Sequence, residues 1–115
     1  MEIDARNEVV LVGRLAGEPQ ARELPSGDLL ATWRLVVDRP PPRRKPPAGV
    51  RSPTVDTLDC VAWTSSVRRA AAGWQPGDLV AVEGSLRRRF WRTPVGASSR
   101  YEVEVTTAKR LARAS

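Results

Sequence analysis

Between Ser85 and Gly96 the chain reads SLRRRFWRTPVG, which sets Arg87, Arg88, Arg89 and Arg92 around the adjacent rings of Phe90 and Trp91. Arg carries a flat, forked, weakly hydrated cation suited to phosphate and to stacking on rings. Strict strand alternation through the stretch puts Arg87, Arg89 and Trp91 on one side and Arg88 and Phe90 on the other. Guanidiniums interleaved with an indole have the composition of a platform for unpaired nucleic acid. Bases stack on the ring, contributing roughly 1–3 kcal/mol each, while Arg neutralises the phosphates between them. Trp63 is a second candidate ring, because its register places it with Thr57 and Asp59. Arg34 joins the set from another strand, and Arg43, Arg44, Lys45 and Arg51 in a basic loop would extend the electrostatic track.

The bulk composition agrees with that chemistry and excludes others. Nineteen basic against thirteen acidic residues leave a net charge of +6 in 115 residues, room for one domain with a single modest core. Seventeen of the nineteen basic residues are Arg. An excess of this kind favours a polyanionic partner, nucleic acid or an anionic membrane surface, and matters only where it clusters. The chain has no histidine, so a His triad and a His metal site are both excluded. The acidic residues are scattered and no phosphate-binding glycine motif is present, so no catalytic residue, metal or cofactor is expected. Cys60 in LDCVAW reads as a small buried thiol. No apolar run is long enough to span a membrane and MEIDARNE lacks a signal pattern; no membrane association and a reduced, cytoplasmic setting are the expectation.

The elements that must hold these residues follow from periodicity. Glu8 to Leu15 is apolar on both alternating faces apart from Arg14, as in a strand covered on both sides, one side by another subunit. Gly13 and Gly17 suggest bends or bulges, and LPSGD at 24–28 a turn. Asp28 to Asp38 alternates, with Leu29, Ala31, Trp33, Leu35 and Val37 on the apolar face and Thr32, Arg34 and Asp38 opposed. Arg39 to Pro53 holds six prolines and five basic residues, which makes a long exposed cationic hairpin loop. Val55 to Thr64 is a third strand, with Leu58, Cys60 and Ala62 inward and Val61 and Trp63 outward. Ser65 or Ser66 can cap a short helix bearing Val67, Ala70, Ala71 and Trp74 on one stripe. Asp78 to Arg89 makes a fourth strand with Val80, Val82 and Leu86 inward, GAS at 96–98 a hairpin loop, and Arg100 to Thr107 a fifth strand. Five strands with one short helix between the third and fourth is the order of an all-β OB-fold barrel with extended β-hairpin loops. One such domain is expected over residues 1–111, with a short tail at 112–115.

Four segments also resemble the bacterial single-stranded-DNA-binding proteins. NEVVLVGRLAGEPQAR is similar to that family's opening strand and turn, SGDLLATWRLVVDR to its second strand, DTLDCVAW to its third and GDLVAVEGSLRRRFW to its fourth. The resemblance implies an OB-fold that assembles as a homotetramer or homodimer, partly through its first strand. It also implies sequence-tolerant binding of single-stranded DNA in replication, repair and recombination, close to the nucleoid. Trp91 matches one of the family's stacking positions and Trp63 another aromatic one, whereas Pro41 and Thr57 stand where the family has rings. With no acidic tip for recruiting partner proteins after LARAS, a short accessory paralogue is the expectation. Two other readings stay open: a protein-interaction module of a primosome-type assembly, and an RNA-binding OB protein.

Overall fold

The computed structural model describes residues 3–115; Met1 and Glu2, which the expected domain includes, lie outside the described residues. Its elements in chain order are β1 (Val9–Leu15), β2 (Gln20–Glu23), β3 (Leu29–Asp38), β4 (Val55–Ala62), α1 (Ser65–Ala72), β5 (Leu79–Thr93) and β6 (Gly96–Ala112). β1 pairs antiparallel with β5, β5 with β6 and β3 with β4. Two short contacts close the ring: β4 runs parallel to β6 at Cys60 and Val61, and β1 meets β3 at Arg14 and Leu15. The OB-fold expected from the element order is therefore present, with β2 added as a sixth strand on the outer edge of β3. β2 escapes a reading of the sequence because QARE is exposed throughout and carries no alternation; only its ladder with β3 makes it a strand.

The predicted apolar faces largely fill the barrel. Trp33, Leu35, Cys60, Ala62, Val80, Val82, Val103 and Val105 are buried together, and α1 adds Val67 and Ala71 from its predicted stripe. Trp74 packs edge-on against Trp33, centroids 5.2 Å apart. Departures occur where the strands coil or leave the barrel. Leu29 and Leu86 are exposed, while Leu30, Val61 and Glu102, on the faces expected to be outward, are buried. Thr64, not Ser65 or Ser66, is the N-cap of α1, and it makes no side-chain cap bond.

β5 and β6 run farther than their alternation suggests. They stay paired from Leu79 to the Thr93–Gly96 pair, so the tight turn is Pro94–Val95 and the GAS segment is already strand. Proline without an N–H and with a fixed φ fits the first turn position. Register shifts between Leu79 and Val80, leaving out Leu111, and again between Glu83 and Gly84, where Thr106 is left out of the ladder. That bulge lets Val103 and Val105 on one side of it and Ala108 on the other all turn toward the core. Gly84 is required there: a Cβ would stand 1.8 Å from the Glu104 carbonyl oxygen.

The last strand, expected to end at Thr107, runs on to Ala112, and Asp78 pins the residues around its end. Its carboxylate accepts from the backbone N–H of Gln75 (2.9 Å) and of Ala114 (2.8 Å), and Arg110 lies 3.5 Å away. These backbone donors, with the guanidinium adding to them, hold the carboxyl below the ordinary aspartate range.

Two outcomes follow. Gly84→Ala should lose about 2 kcal/mol or more in urea unfolding, since no side-chain rotation relieves a clash with backbone. Gly17→Ala, with open space around its Cα, should stay within about 0.5 kcal/mol. Asp78→Asn should melt lower than the parent at neutral pH. A depressed native pKa gives stability that is present above the unfolded pKa and lost as pH falls through the native one. The gap between the two melting temperatures should accordingly close in acid, and a gap independent of pH would refute the ionic role.

Candidate nucleic-acid interface

The outer face of β3, β4, β6 and β5 brings together three of the predicted cations, Arg34, Arg87 and Arg89. Arg34 on β3 stands opposite Asp59 on β4, and Arg89 on β5 opposite Arg100 on β6. With Arg22 from β2 they line a groove of about 390 Å³ whose floor includes Trp33, Thr32 and Cys60. Neither Arg22 nor Arg100 stands out in the sequence. Arg22 lies on the strand that periodicity misses, and Arg100 reads as the first residue of a strand chosen for its apolar positions.

Carboxylates interleave with these cations. Arg34 Nε donates to Asp59 Oδ1 at 3.3 Å, Arg87 Nε to Glu104 Oε2 at 3.0 Å, and Arg100 lies 3.7 Å from Glu102. Arg22 and Arg89 take part in none of the ion pairs among the described residues. The face is thus a ladder of alternating charge with a few uncompensated guanidiniums, not the bare cationic belt that composition suggests.

The hairpin beyond the barrel has two faces, as alternation predicts. Arg87, Arg89 and Trp91 continue the groove side, and Trp91 is 43% exposed. Arg88 and Phe90 lie on the reverse with Tyr101. There the Arg88 guanidinium sits 5.0 Å from the Phe90 centroid and 5.4 Å from that of Tyr101, and donates to Ser99 Oγ. Arg88 is therefore engaged with its own strand and its neighbour. Arg92 is exposed near the tip, opposite Ala97.

Trp63 follows β4 directly and is 38% exposed, its carbonyl accepting from Arg68 Nε at 3.1 Å. Val61 aligns with Glu104 and Trp91 with Ser98. Six residues of β6 at ~3.3 Å each separate those positions, so the two indoles lie more than about 20 Å apart along the face. Arg89, Arg100 and Arg34 occupy the interval. Arg43, Arg44 and Lys45 are exposed on the loop between β3 and β4 and do not line the groove. The neck of that loop is clamped: Arg39 N–H donates to the Thr54 carbonyl, and its guanidinium bonds twice to Asp56 Oδ1, at 3.0 and 2.7 Å.

A closed OB barrel with a guanidinium-lined groove on its outer face, and two exposed indoles, Trp91 on β5 and Trp63 just after β4, defines a class of oligonucleotide-binding scaffold. Residues 6–111 match the Single-strand binding protein family, and the chain belongs to that family. It is 34% identical over 90 residues to the single-stranded DNA-binding protein of Thermotoga maritima, covering 78% of this chain and 62% of that one. Single-stranded DNA-binding protein A of Bacillus subtilis shares 34% over 90 residues, covering 78% of this chain and 49% of that one. The matched region spans about half to three-fifths of the length of these relatives. Among solved structures, a Plasmodium falciparum SSB in complex with ssDNA superposes with a TM-score of 0.78 over 96% of this chain and 99% of that one, at 23% identity. That likeness shows the fold.

Cys60, at the groove floor, is buried, and burial, helped by the charges of Asp59 and Glu102, pushes its thiol up to about 12. Thiolate is the reactive form. Iodoacetamide at pH 8 should therefore label the native protein far more slowly than the urea-unfolded chain; equal rates would contradict the buried placement.

Proposed function

We propose that this chain binds single-stranded DNA with little sequence preference, as a non-enzymatic protein of DNA replication, repair or recombination acting in the cytoplasm at the nucleoid. The observation that carries the reading is Trp91, exposed on the same strand face as Arg87 and Arg89 and continuous with the groove that Arg100, Arg34 and Arg22 line. A base stacked on that indole leaves its phosphates over the guanidiniums, and a second base finds Trp63 at the far end. Stacking is indifferent to base identity and phosphate contact carries no sequence information, which gives tolerance of sequence. Arg43, Arg44 and Lys45 add long-range attraction from an exposed loop clamped at its neck, raising the encounter rate more than the final affinity.

Assembly as a homodimer or homotetramer belongs to the same reading. Val10 and Val12 are 70% and 47% exposed on the open face of β1. Among the described residues, the second edge of β1 from Val9 to Gly13 pairs with no strand. An apolar face beside a free edge is what a second copy would cover.

Titration with oligo(dT), followed by tryptophan quenching at two salt concentrations, tests the reading. Trp33 and Trp74 are buried, so Trp63 and Trp91 carry the signal. The four arginines of the groove should give a slope of log affinity against log salt of about −3, at about −0.7 per phosphate neutralised. Trp91→Ala should weaken binding roughly tenfold with that slope unchanged, and Arg89→Ala should make it shallower. Absence of quenching at low salt would sink the proposal.

A further inference from the structure

A second cleft, of about 570 Å³, opens between α1 and the β2–β3 ladder; neither exposed indole lines it, and Arg68 on its rim donates to the backbone carbonyl of Trp63. Its floor is aliphatic, made by Leu29, Leu30, Ala31 and Ala71, with Leu29 46% exposed and the other three buried. Arg22, Arg68 and Arg69 stand on its rim, and Glu23 is the one carboxylate on its wall. Among the described residues, none of the three guanidiniums takes part in an ion pair. Among the described residues, β2, which forms one wall, pairs only with β3, so its other edge keeps unpaired backbone donors and acceptors.

We propose that this cleft docks an acidic segment of a partner protein, one that inserts an apolar side chain onto the aliphatic floor and sets carboxylates against Arg68 and Arg69. Two features select a peptide over nucleic acid. No aromatic ring lines the cleft, so a base would find nothing to stack on, whereas an aliphatic floor suits a leucine. The free edge of β2 can also pair with an extended backbone, which a peptide has and a nucleotide lacks. Carboxylate–guanidinium bonds then fix which segments fit, because an uncharged apolar peptide would leave the rim unsatisfied. The site lies beside the groove, with Arg22 common to both, so a partner could be held next to bound DNA.

The test uses a fluorescein-labelled, aspartate-rich synthetic peptide with a central Leu-Leu pair, followed by anisotropy on the full chain. Arg69→Glu and Leu29→Glu are both at exposed positions, and each should weaken the peptide about tenfold or more, as should replacing its leucines with serine. The affinity of both variants for oligo(dT) should stay within about threefold, consistent with screened charges outside the groove. The proposal fails if the parent chain does not bind the peptide, or if neither substitution weakens it. It also fails if Trp91→Ala or excess oligo(dT) abolishes peptide binding, which would put the peptide in the groove. Loss of oligo(dT) binding in Arg69→Glu, matching the loss of peptide, would make the cleft part of the DNA track and overturn it as well.

Discussion

The ladder between β5 and β6 bends at Gly84, where the Glu104 carbonyl oxygen leaves no room for a side chain. Below the bend Val80 and Val82 are sealed in the core; above it the same strand carries Arg87, Arg89 and Trp91 out of the barrel. The bulge at Thr106 also changes which residues of β6 face inward, from Val103 and Val105 to Ala108. Arg110 then stands opposite Val80 and reaches Asp78, closing the barrel at its other end. The core and the groove side of β5 take their positions from Gly84 and the bulge at Thr106, and the terminal strand carries a second irregularity at Leu111.

Alternation in the sequence is enough to find this arrangement's inner half. Trp33, Leu35, Val80, Val82, Val103 and Val105 lie where period-two patterning puts them, because burial on one face is a local property of each strand. The sequence is also enough to separate Arg87, Arg89 and Trp91 from Arg88 and Phe90, since no bulge intervenes between Gly84 and Thr93. Leu30 and Val61 break the pattern, as does exposed Leu86. Coiled strands pass from one environment to another along their length, and no single strand's pattern records which neighbour lies over it.

What stays hidden in the sequence is pairing between distant residues. Arg34 and Asp59 are twenty-five positions apart, and Arg87 and Glu104 seventeen. Each looks like an ordinary outward charge until the register of two strands sets them opposite. Composition therefore overstates the positive charge that the groove presents. It also hides Arg22, which gains a role only because the four exposed residues of β2 pair with β3. Charge counts by segment and charge available on a face are different quantities, and only the fold converts one to the other.

The interleaved carboxylates shape how the groove can act on a polyanion. An exposed ion pair contributes only about 0–1 kcal/mol, so an arriving phosphate can take Arg34 or Arg87 from its carboxylate at small cost. The displaced Asp59 or Glu104 stays nearby and repels the phosphate, so each such contact gains less than one made by Arg22 or Arg89. On the proposed reading, affinity would lean on the uncompensated guanidiniums and on stacking at Trp91. A backbone held loosely along most of its path and firmly at a ring can shift by a nucleotide without passing a high barrier. On that same reading, weak grip between strong points would permit movement along the strand, and the acidic residues would contribute to that mobility as directly as the arginines to binding.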